Sequence, residues 1–519
     1  MNPPNVQRNL LRNAVSNYIR TFVAMVVGLV TFRLLYQHFS QEEFGFWSLL
    51  WSVFGFGVLL DFGFGFAAQK RVAELSVKQD WAEMSRVLSS ILVFYVAVAL
   101  LLSAGVFFAS PWLIQWFGVS AARSEEFRVV MVVFFMGIGL AFPMGIFPEM
   151  LRGQQRISLA NWLIITAILL RLVLVILAVW LEWSFLTVMI IALGSALAPD
   201  VCAAFFALQK MPEVKLRLSL FDFRSMNETV KFSFFAYLGT ATNVALAKTD
   251  QIILTTTLGV ASIALYQAGA KVGEMFRDFT KQVQDTLSPA AAHLHAGGEH
   301  QALRNLLVQG TRWSVMIATP LYLLSAFYLQ DLLLLLTGDA ALSPETWLVG
   351  QILLFWYYTS NLTHSVSKRI FMMTGHEQRL MWMGMGEAVS NLIISLALVL
   401  WMKSVTAVAL GSLIPTLWFG WARLWPWMAE EAHETSFSLL CKAVFPAWAA
   451  ATPALLTLIF LQNVDLAPQA YPGLAMFTEG SLAGLVALLG VWRFGLYNEE
   501  RNRLTTRFSK TIPPQIQPV

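Results

Sequence analysis

Five charged residues between positions 271 and 285 are spaced to line one wall. Lys271, Glu274, Asp278, Lys281 and Asp285 follow a 3-4-3-4 pattern, which on an α-helix gathers them into a single stripe. Arg277 lies beside that stripe. An ionisable group in hydrocarbon is costly, so it turns toward a protein interior or a watery path and marks a route for ions or charged cargo. Two readings account for the stripe. Its members neutralise one another through i,i+3 and i,i+4 ion pairs, or they form one wall of a solvated cavity. Other ionisable residues stand deep in apolar segments: Arg171, Asp200, Lys248, Asp250 and Glu387. Arg20 and Arg33 lie nearer the ends of the first segment, where long side chains can snorkel toward water. Asp61 sits close enough to the end of its segment to reach lipid headgroups.

The elements that must hold these residues are membrane-spanning helices. Mean hydropathy is +0.62, and 57% of residues are hydrophobic against 13% charged, where a soluble domain has about 25% charged. A span needs roughly 20 apolar residues, and on that ruler the chain holds about 14. They cover 15–37, 44–67, 88–110, 127–149, 159–181, 184–208, 230–257, 262–290, 308–336, 346–370, 379–401, 404–428, 437–461 and 475–496. Of the 35 Lys and Arg, 25 fall in alternate loops and tails, among them Lys70, Arg71, Arg152, Arg156, Lys210, Lys368, Arg369 and Arg501. The opposite loops hold only Arg123 and Lys403. That asymmetry is the positive-inside pattern, with the basic loops and both termini in the cytoplasm. The net charge of +4 therefore reports topology and contact with anionic headgroups, not nucleic-acid binding.

Order along the chain suggests an N-terminal lobe (1–208, spans one to six), a cytoplasmic linker (209–230) and a C-terminal lobe (231–428, spans seven to twelve). Two extra spans (429–496) and a cytoplasmic tail (497–519) follow. With an offset of 219 residues, the turn at Ser40–Trp47 lies over Gly259–Tyr266, as an internal repeat of the transporter kind would. Pro143, Pro148, Pro199, Pro415, Pro446 and Pro453 interrupt spans and permit kinks.

Several chemistries are missing. The sequence holds no phosphate-binding Gly-x-x-x-x-Gly-Lys-Ser/Thr loop, no His-Glu-x-x-His and no Gly-x-Ser-x-Gly elbow. Cys202 and Cys441 are too few for a disulfide framework. His293, His295 and His300 fall beside Gly297-Gly298, where a solvated loop is expected rather than a metal site. No cofactor is implied.

Several stretches resemble the bacterial polysaccharide transporter family. They are Leu11-Arg12-Asn13-Ala14, Glu43-Phe44-Gly45-Phe46-Trp47-Ser48-Leu49-Leu50 and Leu60-Asp61-Phe62-Gly63-Phe64-Gly65. Lys248-Thr249-Asp250-Gln251-Ile252-Ile253-Leu254 and the turns Arg152-Gly153-Gln154-Gln155-Arg156 and Thr374-Gly375-His376 add to the likeness. The resemblance implies an all-α polytopic fold with two six-helix lobes around a central cavity and two added spans. It implies a flippase that moves an undecaprenyl-pyrophosphate-linked oligosaccharide repeat unit from the cytoplasmic to the periplasmic leaflet of the inner membrane, for O-antigen or exopolysaccharide assembly. The partners it implies are the lipid-linked oligosaccharide, membrane lipids, and the polymerase and glycosyltransferases of the same assembly line. On that reading Arg171, Lys248, Lys271, Arg277 and Arg33 receive the diphosphate, Arg by paired donors and Lys as a point charge. Glu274, Asp250, Asp200 and Glu387 are then the candidates for a coupling proton or sodium ion. Two alternatives remain: a multidrug exporter of the same architecture, which would favour an acidic cavity, and a membrane-embedded enzyme acting on lipid-linked sugars, which would need a larger outer loop.

Overall fold

A computed structural model describes residues 3–57, 61, 64–154, 156–223, 249–285, 287–338, 343–464, 472–498 and 500–502. These residues are helical or in short turns, with no strand among them. The helices are α1 (Pro3–His38), α2 (Gln41–Gly57), α3 (Phe64–Lys78), α4 (Trp81–Trp116), α5 (Ser124–Met144), α6 (Ile146–Gly153), α7 (Ile157–Trp180) and α8 (Phe185–Lys210). The described end of α9 is 249–258. Next come α10 (Ala261–Asp285), α11 (Leu287–Ala296), α12 (His300–Phe327), α13 (Leu329–Thr337), α14 (Pro344–Ser360) and α15 (Val366–Met373). The last are α16 (Glu377–Met402), α17 (Val405–Leu417), α18 (Trp425–Glu431), α19 (Ser436–Ala443), α20 (Phe445–Val464) and α21 (Pro472–Gly490). Asn361–Ser365, Trp418–Leu424 and Val491–Gly495 are π-helical.

Seven of the described helical stretches are long and apolar enough to cross a membrane, and two bent pairs would raise that to nine. Of the expected spans not in that set, most of the seventh lies outside the described residues, and the fourteenth is α21 with the π segment that follows it. The second is divided between α2 and α3 and the tenth by its π segment, while α10 carries the charged stripe. The ninth expected span is α12 and α13 bent by 75°, and the thirteenth is α19 and α20 bent by 43°.

The chain packs as two units. The first comprises Met1–Gln267, Leu336–Asp339 and Ile394–Val408; the second comprises Ala268–Leu335, Ala340–Ile393 and Ala409–Val519. Within the first, the loops sort to two ends. At one end a capping box starts α2: Ser40 N donates to Glu43 Oε2 at 2.8 Å and Glu43 N to Ser40 Oγ at 3.3 Å. Arg123 reaches Glu43 at 2.5 Å, Ser120 N donates to Glu42 Oε1 at 2.7 Å, and His38 Nε2 meets the Trp183 carbonyl at 3.1 Å. At the other end, the segment after α8 is held to α4: Lys215 N and Arg217 N donate to Ser85 Oγ and Ser89 Oγ at 3.0 and 3.1 Å. Gly153 of α6 packs against α3 so closely that a Cβ would stand 2.7 Å from the Gln69 carbonyl oxygen. The loops expected on opposite sides are thus at opposite ends, and the basic ones share an end.

Each unit has its own apolar core. Phe64, Val72, Met84, Leu88, Ile91 and Met150 anchor the first; Val315, Leu362, Phe371, Trp425, Trp427 and Met428 anchor the second. Many large apolar side chains face outward instead, among them Leu101, Phe108, Val173, Trp180, Ile393 and Leu488. In water such a surface would drive aggregation; against lipid tails it costs nothing.

Candidate functional site

In the first unit, Arg171 lies midway along α7. Its Nε is buried without a hydrogen-bond partner, and no carboxylate is paired with it among the described residues. An Arg never loses its charge in a protein, so this is a cation held in a span with unused donors. Asp200 of α8 lies within electrostatic reach of Arg152 and Glu149, which are paired with each other on α6. Asp61, near a span end, accepts hydrogen bonds from Tyr95 Oη and from Gly65 N, the latter at 3.3 Å. Arg20 donates to Asn17 Oδ1 at 2.9 Å, and Arg33 is half-buried on α1. Asp250 is buried and accepts from Tyr266 Oη at 2.5 Å, which ties α9 to α10. Lys248 lies outside the described residues.

In the second unit the stripe of α10 is mixed. Lys271 Nζ stands 3.8 Å from Glu274 Oε2, each about a quarter exposed, as internal neutralisation requires. Arg277 differs. Its Nε donates to the adjacent Asp278 at 3.0 Å, its guanidinium lies 5.2 Å from the Tyr357 ring centroid, and 43% of its side chain stays exposed. A guanidinium stacked on an aromatic face is oriented while part of its edge remains open. Gly273, one turn earlier, lets Tyr357 approach the helix.

Glu387 of α16 is buried, and its two oxygens have different partners. Oε1 accepts from Thr416 Oγ1 at 2.8 Å, which itself accepts from Trp356 Nε1 at 2.8 Å. Oε2 stands 3.3 Å from His364 Nε2 and 3.7 Å from Lys368 Nζ. His364 and Lys368 were not among the residues singled out by sequence. Lys368 reads as a loop cation, and His364 carries no pattern around it. The signal that joins them to Glu387 is spatial, made by the π segment 361–365. A further cavity of about 500 Å³ opens between α12, α14 and α20, lined by Tyr322, Leu323, Leu354, Phe355, Tyr358 and Trp448.

Along the sequence, residues 10–281 match the family described as polysaccharide biosynthesis protein, which is more than half the chain. The chain belongs to that family. No curated protein sequence matches it. Among solved structures, "Lipid II flippase MurJ, inward closed conformation" is similar over 92% of this chain and 98% of its own, with a TM-score of 0.70 at 14% identity. An inward-facing multidrug resistance MATE family transporter of the MOP superfamily is similar over 82% and 98%, with a TM-score of 0.65 at 14% identity. A MOP superfamily transporter from Pyrococcus furiosus is similar over 82% and 95%, with a TM-score of 0.58 at 13% identity. At these identities the likeness is one of fold: this polysaccharide biosynthesis family member is a multi-pass membrane protein with the helical architecture of those transporters. The family match spans α1 to most of α10 and so contains Arg171, Asp200, Asp250, Lys271, Glu274 and Arg277, while Glu387 and its partners lie beyond it.

Proposed function

We propose that the protein is a flippase for a polyprenyl-diphosphate-linked oligosaccharide repeat unit, moving it from the cytoplasmic to the periplasmic leaflet of the bacterial inner membrane. The basic end of the first unit faces the cytoplasm, as do both termini. Arg171 carries the reading: a permanent cation in a span, with a buried donor and no carboxylate paired with it among the described residues, is stabilised when an anion arrives. In the second unit Arg277, stacked on Tyr357 and part open, is a further candidate for a phosphate contact. A diphosphate offers planar oxygen pairs that a guanidinium fork matches. The family match supports a cargo from polysaccharide synthesis, and the likeness in fold to solved transporters supports translocation. The polymerase and the glycosyltransferases are its functional partners on this reading. Arg33, Lys248 and Lys271 remain secondary candidates for the cargo, and Glu274, Asp250, Asp200 and Glu387 for the coupling ion.

The test is a deletion strain fed a radiolabelled sugar. Labelled lipid-linked repeat unit should accumulate in the cytoplasmic leaflet, and surface polymer should disappear. Normal appearance of the unit in the outer leaflet would refute the flippase assignment.

A further inference from the structure

We propose that Glu387, His364 and Lys368 form a proton-binding site in the second unit, so that the coupling ion of the transport cycle is a proton and not a metal cation. The inference rests on the transporter reading and goes beyond it in naming the ion. It begins with the count of donors and acceptors around His364. Thr363 Oγ1 lies 2.7 Å from His364 Nδ1 and also donates to the Thr359 carbonyl at 3.0 Å. A hydroxyl has one proton. If that proton goes to Thr359, the His364 Nδ1 must donate to Thr363. Nε2 then needs a second proton to face Glu387 Oε2 at 3.3 Å without opposing lone pairs. The imidazolium satisfies every group. The neutral ring cannot: either Nε2 turns its lone pair on the carboxylate, or Thr363 gives up its bond to Thr359 and donates to Nδ1. One proton thus decides which way a buried hydroxyl points.

The same inventory leaves no seat for sodium. A hard cation needs several oxygen ligands. Here Oε1 is taken by Thr416, whose hydroxyl is in turn held by Trp356, and Oε2 already faces a ring nitrogen and an ammonium. A metal ion beside Oε2 would meet Lys368 at close range. The charged and titratable groups facing Glu387 among the described residues are His364 from the π segment and Lys368 from α15; α17 contributes only Thr416. Lys368 is the member nearest water, with 31% of its side chain exposed, and gives the proton a way in and out.

The surroundings are built for a small movement. His364 lies in the π segment 361–365, and the π segment 418–424 packs against it. A Cβ on Gly420 would stand 2.6 Å from Thr363 Oγ1 and 3.0 Å from His364 Cε1. Only glycine allows the two segments to touch there. Widened turns of this kind recur at functional sites, and both here abut the same ionisable triad.

The experiment uses the full chain in proteoliposomes, labelled with carbonyl-¹³C threonine and ¹⁵N histidine. Thr363-His364 is the single Thr-His step in the sequence, so His364 is assigned without a variant. Titration from about pH 5 to 9 should show both ring nitrogens protonated at the acid end and one at the basic end. Sodium should not move that midpoint. E387Q should change that titration, because the carboxylate 3.3 Å from Nε2 is gone, and an unchanged titration would remove Glu387 from the site. Radioactive sodium should not bind in a Glu387-dependent manner. A ring that stays neutral throughout, or sodium binding lost in E387Q, would overturn the proposal. In cells, H364Q and E387Q should lower polymer export about tenfold or more at unchanged membrane levels. Wild-type export from both would remove the coupling role and leave the flippase reading intact, which falls only if the deletion strain exports normally.

Discussion

Replacing Arg171 separates a cargo-binding cation from a structural one. A structural arginine has a carboxylate that suffers when it leaves; removing one partner of a buried pair costs about 3–5 kcal/mol. Arg171 has no such partner among the described residues, and its Nε is a buried donor without an acceptor. An unsatisfied donor of that kind costs about 1–3 kcal/mol, so Arg171→Ala should leave the thermal midpoint in detergent unchanged or slightly raised. Binding should behave in the opposite way. A charge-assisted hydrogen bond to a phosphate oxygen contributes about 1.5–3 kcal/mol. Losing about 2–3 kcal/mol weakens the complex roughly 30- to 150-fold. Arg171→Lys keeps the charge but not the fork and should fall between, with roughly tenfold loss. The assay is surface-polysaccharide export in a complemented deletion strain, read beside the membrane level of each variant and its unfolding midpoint. A destabilised Arg171→Ala chain would show that the arginine holds the bundle together. Wild-type export from a stable Arg171→Ala chain would show that no anion needs it.

Three other expectations concern stability and can be read as unfolding midpoints in detergent. Burial raises the Glu43 carboxyl, but hydrogen bonds from Arg123 and Ser40 outweigh it and hold the group below its ordinary 4.5. The clamp therefore contributes fully above about pH 4.5 and is lost as pH falls through the lowered value; Arg123→Ala should remove about 1–2 kcal/mol at neutral pH and flatten that acid limb. Glu500→Ala strands Arg312, which is 1% exposed, in a buried site beside the Tyr497 ring, and should cost about 3–5 kcal/mol. Gly153→Leu drives a side chain into the Gln69 carbonyl and Val72 and should cost about 1–3 kcal/mol or block folding, whereas Gly28→Ala, with nothing within 4 Å, should be neutral or stabilising.

The residues that announced themselves in the sequence were those governed by local spacing or by solvent. Apolar run lengths located the helices because the bilayer sets a minimum length, and the basic loops gathered at one end of the first unit because charge sorting acts loop by loop. The Lys271–Glu274 pair followed from its i,i+3 spacing. Pairings between distant segments were not legible. Asp250 stood in a stretch that suggested the family and Tyr266 in the internal repeat, yet only the turn between α9 and α10 brings them together. Asp61 read as able to reach headgroups because it lies near a span end; its bond from Tyr95, 34 residues away, left no mark in the sequence. Glu387 read as a candidate for the coupling ion; its partners His364, Lys368 and Thr416 stand on other segments, beyond any periodicity. The π segments were invisible for a similar reason: one surplus residue in a long apolar run changes neither its composition nor its length enough to register.

That surplus residue has a consequence for how the second unit tolerates deletion. Each residue of a regular helix turns the chain by about 100°. The wide turn at Asn361–Ser365 therefore sets α15 about a quarter-revolution away from where an unbroken continuation of α14 would aim it. Excising one residue from the wide turn would restore an ordinary spiral and better hydrogen-bond geometry. It would also rotate Lys368 off Glu387 and expose a different flank of α15 to its neighbours. Shortening this helix should thus give a chain that folds well and transports poorly, an outcome opposite to that of most deletions in a spanning segment.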